Sequence, residues 1–441
     1  MNSHYVPKFV LKNFGDKISI YDIKSGVLLE DVKLEKAYSQ VGFYNDEIED
    51  KLNRKIESQF ANLFYNKISK CIDKIILSRK ELRLVKKFLL ISVIRSIESE
   101  QFLQKERRFY DNLKEYWIAF AKAQNLSEEH TVAGIEDMKP PFSERVIEGE
   151  TDFDYWMRTL EVILETDGSP EEIMKHPKAT YPAHRWAQII NAGYLAFWDT
   201  TDTNNKFVIT DIGMTSENEL GWNGSTIHNT KKTNFLAELL AYENDLTMKN
   251  EIAKVMHMTS SFHENFQMFP ISATRMIVLI APFYKFRQMY QFRYQMPNLV
   301  YLTELVNEEL YYPNNARYVL PQTPPQIKYH EDDEYIYEVK HLTGKEVQYC
   351  NALFMDRVAE TFGFSSLPDV VRSIVLYKKL NFFPFVPRVD YTNLYKIIEE
   401  RYGGNLNVWL FRLYRSQLIR ALFNIGAQYQ GSEQFVLRCL S

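Results

Sequence analysis

Ile48, Leu52, Ile56, Phe60, Phe64, Ile68 and Ile72 recur at every fourth position, and mostly polar residues fill the gaps. That spacing draws one slowly drifting stripe along a helix, so a long amphipathic helix is predicted from residue 46 onward. Ser78-Arg79-Lys80-Glu81 then has the form of a capping box. In a capping box the Ser hydroxyl accepts from the amide of Glu81 and the Glu81 carboxylate reaches back. The helix it opens contains Phe88-Leu89-Leu90-Ile91-Ser92-Val93-Ile94, which is apolar all round and therefore predicted to be buried on every side. Its continuation through Phe109 and Tyr116 becomes charged and is expected at the surface.

Shorter patterns flank these helices. Lys17-Ile18-Ser19-Ile20-Tyr21-Asp22 alternates, Lys24-Ser25-Gly26 makes a turn, and residues 27–32 return as the second strand of a hairpin. Residues 138–150, with Pro140-Pro141, read as a polar loop, and residues 153–164 and 182–192 as helices. Residues 194–198 and 207–210 read as two strands joined by a turn at Asn204-Asn205, where positive φ is tolerated. Residues 234–256 look helical, 275–280 form a buried strand, Pro321 to Pro325 mark a break, and 334–340 are strand-like. Helices are predicted over 344–362, 368–379, 391–402 and 406–423. The expected class is α+β, helix-rich, with a small mostly antiparallel sheet from the N-terminal hairpin and the middle of the chain. Three regions follow from the texture. Residues 1–140 carry the hairpin and long helices, 150–320 are mixed with central strands, and 321–441 are mainly helical.

The length of 441 residues exceeds what one hydrophobic core usually fills, in keeping with several regions. A net charge of −4 argues against whole-chain attraction to nucleic acid or anionic lipid, while leaving room for a local basic face. Cys71, Cys350 and Cys439 are far apart and form no CxxC, which removes zinc knuckles and thioredoxin-type sites from consideration. Such sparse cysteines suit a reducing compartment. With no signal-like opening and no apolar run of spanning length, the chain is expected to be soluble and cytoplasmic, with no membrane partner.

The first fourteen residues hold a dense motif: His4, Pro7, Phe9, Leu11 and Phe14. Phe43-Tyr44 follows the hairpin, Arg95 follows the apolar helix, and Phe207-Val208-Ile209-Thr210-Asp211-Ile212-Gly213 ends a strand in Thr-Asp. Phe269-Pro270-Ile271-Ser272 precedes the next strand, and Asn307 and Ala316-Arg317 come later. Together these resemble the bacterial family catalogued as domain of unknown function 4238, over roughly residues 1–320. Thr210 stands where that family has Ser, and the Pro that follows its motif is missing here. The resemblance implies a lineage and candidate positions, and by association a setting among bacterial defence and toxin genes.

Three residues are the candidate catalytic set: His4, Arg95 and Asp211. A carboxylate at a strand end, such as Asp211, can bind a metal or act as a base, or it can cap the next turn through the backbone. A buried Arg95 needs a carboxylate, so a pair with Asp211 across the pocket floor is the expectation, with Glu98 or solvent as the alternatives. His4 is either a general base or metal ligand, or an anchor that donates to a backbone carbonyl. Glu338-Val339-Lys340 is the local half of a metal-dependent nuclease signature, but Glu331-Asp332-Asp333-Glu334 is too close and Asp211 too distant for its usual spacing. His263-Glu264 lacks the second His of a zinc protease helix, and there is no GxSxG, Walker loop or GxGxxG. Arg412, Arg415 and Arg420 interleave with Trp409, Phe411 and Tyr414, a pattern for stacking on nucleic acid or for an ordinary amphipathic helix.

The expectation is an effector in anti-phage defence or a toxin-type system, with nuclease chemistry as its candidate activity. The alternative is a non-catalytic binding or sensor module for protein or nucleic acid. Metal and cofactor are left open.

Overall fold

The computed structural model describes residues 2–96, 118, 147–201, 204–218, 264–280, 334–379 and 389–402. Several sequence expectations fall outside them: the extension past Ile94 with Glu98, Phe109 and Tyr116, the helices over 234–256 and 406–423, His263, Asn307, Ala316-Arg317, and the breaks at 138–146 and 321–325.

The fold is mixed α+β. The chain opens with β1 (Asn2–His4) and α1 (Lys8–Lys12), then the hairpin β2 (Lys17–Asp22) and β3 (Val27–Lys33), then β4 (Ser39–Val41). The hairpin turn forms as its sequence dictates: Gly26 takes φ +68°, and Asp22 Oδ1 accepts from the Ser25 amide at 2.8 Å. Strand β5 (Lys74–Ser78) leads into α4 (Arg79–Ile94), and Ser78 and Glu81 form the capping box. The helices α5 (Asp152–Glu165), α6 (Pro170–Lys175) and α7 (Tyr181–Ala192) follow. Next come β6 (Tyr194–Asp199), β7 (Ile209–Thr210), β8 (Thr215–Asn218), β9 (Glu264–Pro270) and β10 (Arg275–Ile280). The described chain ends with β11 (Glu334–His341), α8 (Gly344–Asp356), β12 (Thr361–Phe364), α9 (Leu367–Lys379) and α10 (Thr392–Tyr402).

The predicted stripe contains α2 (Asp46–Leu52) and α3 (Ser58–Leu63), each followed by a π-helical turn, Asn53–Glu57 and Phe64–Ile68. A strict four-residue repeat explains them. Each step of four overshoots an α turn by about 40°, so the five steps from Ile48 to Ile68 would drift about 200° around a pure α-helix. Each π turn takes in roughly one extra residue, about 100°, so two of them cancel the drift. Ile48, Leu52, Ile56, Phe60, Phe64 and Ile68 all end up buried. Ile72 does not continue the stripe; the helix stops first and its side chain is 68% exposed.

Sheet content is larger than expected. Among the described residues there is a six-stranded sheet in the order β5-β11-β6-β10-β9-β8, a four-stranded sheet β3-β2-β12-β7, and the pair β1-β4. Strands β11 and β12, from the last third of the chain, sit inside the two larger sheets, and β11 runs parallel to β6. Side chains along β6 and β10 alternate between two cores. Phe197, Ile277 and Leu279 join one with α4 and α5, while Trp198, Met276 and Val278 join the other with α8 and α9. Burial on both faces is why these strands read as continuous apolar runs.

Two local predictions are corrected. Strands β6 and β7 are not a hairpin: β6 pairs with β10 and β11, and β7 pairs with β12. The intervening chain is instead pinned by Phe207 donating to the Ala273 carbonyl at 2.9 Å and Val208 donating to Asn351 Oδ1 at 3.0 Å. The helix predicted over 344–362 stops at Asp356, and Phe362 lies in β12 between Tyr21 and Thr210.

Candidate functional site

Arg95 is the C-cap residue of α4, and its side chain is 1% exposed. Nη1 donates to Glu57 Oε1 at 2.5 Å, and Nη2 donates to the backbone carbonyl of His4. The Tyr44 hydroxyl donates to the Arg95 carbonyl at 2.5 Å, with the Tyr44 ring 5.7 Å from the guanidinium. Burial works against the charge of Arg95, but Glu57 foremost, with Tyr44 and Glu49, outweighs it and holds the guanidinium above its usual range. Glu49 and Glu57 are eight residues apart, which in an α-helix leaves them about 80° out of line. The π turn that ends at Glu57 takes up that rotation, and both carboxylates act on the charge of Arg95. Burial pushes the Glu49 carboxyl up, Arg95 pulls it down and Glu57 raises it again, with a net upward shift.

The expected pair between Arg95 and Asp211 therefore gives way to one between Arg95 and Glu57. The reason lies in geometry at Asp211. This residue follows β7 directly and is fully buried. Its Oδ1 accepts from the amide of Ala359 at 3.0 Å, and its Oδ2 accepts from those of Glu360 and Thr361 at 2.6 and 2.7 Å. Three consecutive amides leading into β12 thus converge on one carboxylate, which ties β12 beside β7. Tyr5, Tyr38 and Tyr391 have their hydroxyl pKa values raised, first by burial and also by the negative charge of Asp211. Gly213, at φ +75°, closes the turn by donating to the Thr210 carbonyl at 2.9 Å.

His4 Nε2 lies 3.2 Å from the Leu34 carbonyl. A carbonyl only accepts, so this nitrogen carries the proton. Burial, with Lys8 and Arg95 nearby, lowers the imidazole pKa despite opposing contributions from Leu34 and Glu57. The ring acts as the anchor of β1.

The rest of the opening motif is a plug. Val6, Val10, Leu11 and Phe14 are buried. Asn13 Nδ2 donates to the Ile271 carbonyl at 3.0 Å, and the Ala273 amide donates to the Asn13 carbonyl at 3.2 Å. The plug thus docks on the Phe269-Pro270-Ile271-Ser272 turn, where Ser272 Oγ accepts from Arg275 N at 2.7 Å. A cavity of about 20 Å³ remains where the N-terminal segment, α4 and the strand end meet, lined by Val6, Val10, Phe88, Arg95, Ile212 and Phe269 among others. That is room for a single water molecule, for which about 10–15 Å³ suffices. Arg95 lines the cavity; His4 and Asp211 are not among its lining residues. Arg95 Nε is buried with no hydrogen-bond partner among the described residues.

Residues 2–357 match the family described as Protein of unknown function (DUF4238). The chain belongs to the DUF4238 family. No curated protein and no solved structure matches it. The DUF4238 match ends two residues before the amides that hold Asp211. Strand β12 and helices α9 and α10 lie beyond it, yet β12 is built into the same sheet as the N-terminal hairpin.

Sequence reasoning missed a further buried ion pair of this DUF4238 chain. Arg275 Nε and Nη2 donate to Asp199 Oδ2 at 2.9 and 2.6 Å. Arg275 Nη1 donates to the Ile68 and Cys71 carbonyls at 2.7 and 3.0 Å, which locks the end of the second π turn onto β10. The available signal was the charged residue at one end of each apolar run, Asp199 after Trp198 and Arg275 before Met276. Glu57 was hidden because an α-helical wheel turns it away from Glu49. Among the described residues, no group of three or more His, Cys, Asp and Glu side chains is placed to hold a metal ion.

Proposed function

We propose that the protein is a non-catalytic binding or sensor module, acting in a bacterial defence or toxin-type system and recognising a partner protein or nucleic acid. The observation that carries this reading is the use made of Asp211, whose two oxygens are taken by three backbone amides. Arg95 is likewise committed to Glu57 and the His4 carbonyl, and His4 to Leu34. The candidate groups act as ties between distant parts of the chain, and the cavity beside them admits only a water. The competing reading is an effector enzyme, with nuclease chemistry centred on Asp211.

Asp211→Asn separates the two. The variant keeps one acceptor oxygen but turns an amide group toward backbone donors, so the binding-module reading expects a clear drop in melting temperature. The purified full chain, incubated with DNA and RNA with and without Mg²⁺, is expected to leave both intact. Cleavage by the wild type, abolished in Asp211→Asn at an unchanged melting temperature, would overturn the reading in favour of the enzyme.

A further inference from the structure

The edges of the two larger sheets differ in how they are protected. Strand β3 carries a register shift against β2, Asp31 at φ +53°, and the charges Glu30, Asp31 and Lys33. Strand β8 has a register shift at Glu217/Asn218, and β7 is two residues long. Bulges, charge and brevity are the usual ways of blocking edge-to-edge pairing. Strand β5, Lys74-Ile75-Ile76-Leu77-Ser78, has none of these in its centre: its register with β11 is unbroken and its middle is apolar. Among the described residues no strand lies on its outer side.

The backbone polarity of that edge can be read. The Asp73 carbonyl accepts from Val339 of β11, so Asp73, Ile75 and Leu77 direct their backbone groups inward. Lys74 and Ile76 direct theirs outward, and so does Ser78, whose amide donates to Glu81 in the capping box. Ile76 is 43% exposed and Ile72 68% exposed, which puts two isoleucines beside a row of donors and acceptors that no other described strand takes up.

We infer that β5 is a homodimer edge, pairing antiparallel with β5 of a second copy about a two-fold axis at Ile76. The sequence is self-complementary in that register. Ile76 opposes itself and exchanges two reciprocal hydrogen bonds, Ile75 opposes Leu77, and Lys74 opposes Ser78, so no like charges meet. One step further out, Asp73 opposes Arg79 of the second copy, whose guanidinium lies 5.4 Å over the Tyr335 ring of its own chain, and symmetry makes this attraction twice. Asp73 has the exposure to take part, at 83% of its side chain, and its ordinary contact is an exposed one with His341 at 3.5 Å. Lys74, the one charge on the strand, lies 4.0 Å from Glu338. The paired edge joins two six-stranded sheets into one. The inference does not depend on what the protein binds.

The test is sedimentation equilibrium of the full chain over a concentration series, with melting temperature as the folding control. The wild type is expected to dimerise. Ile76→Pro removes an outward amide and leaves the β11 ladder whole, and is expected to weaken the dimer roughly 10-fold or more. Asp73→Arg is expected to weaken it as well, and adding Arg79→Asp, which suits the first turn of α4, is expected to restore it. Amide exchange at Lys74 and Ile76 should slow as concentration rises. A wild type that stays monomeric throughout, or a dimer indifferent to both Ile76→Pro and Asp73→Arg, would overturn the inference. So would a β5 edge protected only when another protein strand is added.

Discussion

Glu57 and Arg95 meet at 2.5 Å inside the core, and the same guanidinium holds the backbone carbonyl of His4. One side chain thereby joins the end of α4, the π turn after α2 and the N-terminal strand. Glu49 adds a second buried carboxylate to the single cation, so the cluster carries more acid than its arginine neutralises.

Removing one partner of this pair is expected to cost more than the pair contributes. Glu57→Gln leaves a buried guanidinium opposite a weaker acceptor, and a loss of about 3–5 kcal/mol is expected, read by urea unfolding. Arg95→Lys should not rescue the fold, because one ammonium cannot span both Glu57 and the His4 carbonyl as the planar fork does. A stability within error of wild type for either variant would show that the cluster is not a tie.

Glu49 gives a pH signature. Its folded pKa is raised above the ordinary 4.5, so the native state binds more protons than the unfolded state from that pH up to the folded value. The stability it contributes is therefore fully present below pH 4.5 and is lost as pH rises through the folded value. Glu49→Gln is expected to melt higher than wild type at neutral pH, with the gap closing toward pH 4.5. A constant gap at every pH would point to packing instead.

Much of this architecture is legible in the sequence where a pattern and its physical cause coincide. The capping box at Ser78, the buried face of α4, the β2–β3 hairpin and the β10 strand belong here, since each depends on neighbours in sequence. The four-residue repeat from Ile48 is a subtler case: its drift against 3.6 residues per turn already contains the two π turns. What sequence could not show is pairing over long distances. Asp211 finds amides about 150 positions away, and β12 is a four-residue strand recognisable only by its neighbours β2 and β7. Arg95 follows a helix that reads as buried and so calls for a carboxylate, and Asp211, at the end of an apolar strand, is the one the sequence offers. Arg95 is buried as expected, but its partner Glu57 is brought to it by a π turn, and those of Asp211 are backbone amides with no local signal.

Gly363 in β12 tests the close approach around Asp211. A Cβ there would lie 2.6 Å from the Tyr38 hydroxyl and 3.4 Å from the Ser19 carbonyl. Tyr38 cannot easily yield, since its hydroxyl donates to the Ile209 carbonyl at 3.1 Å and its backbone sits at φ +51°. Gly363→Ala is expected to destabilise by about 1–3 kcal/mol. Tyr38→Phe alone should cost about 0.5–1.5 kcal/mol for the lost hydrogen bond. The double variant is expected to be less destabilised than the two together, because the clashing oxygen is gone. Strict additivity in chemical denaturation would place the strain elsewhere.

Lys86 and Lys87 bind carbonyls at the ends of two other helices from adjacent positions on α4. Lys86 Nζ donates to the Asn191 and Gly193 carbonyls at 2.6 and 3.0 Å, at the end of α7. Lys87 Nζ donates to those of Leu164 and Thr166 at 3.3 and 2.5 Å, at the end of α5. A cation at a helix C-terminus satisfies carbonyls that have no partner within the helix and opposes the macrodipole. Burial nevertheless pushes the Lys86 ammonium down to about 8 from its ordinary 10.5. Between those values the unfolded chain holds the proton that the folded chain has released, so this group makes stability rise with pH over that window. Lys86→Met should abolish that rise, and at neutral pH it leaves two half-buried carbonyls unmatched at a cost of about 1–3 kcal/mol. Melting curves of wild type and Lys86→Met from neutral pH to beyond 10 should therefore diverge as pH increases through about 8. Parallel curves would mean that the two carbonyls and the helix dipole keep Lys86 charged throughout, and that its cost of burial is fully offset.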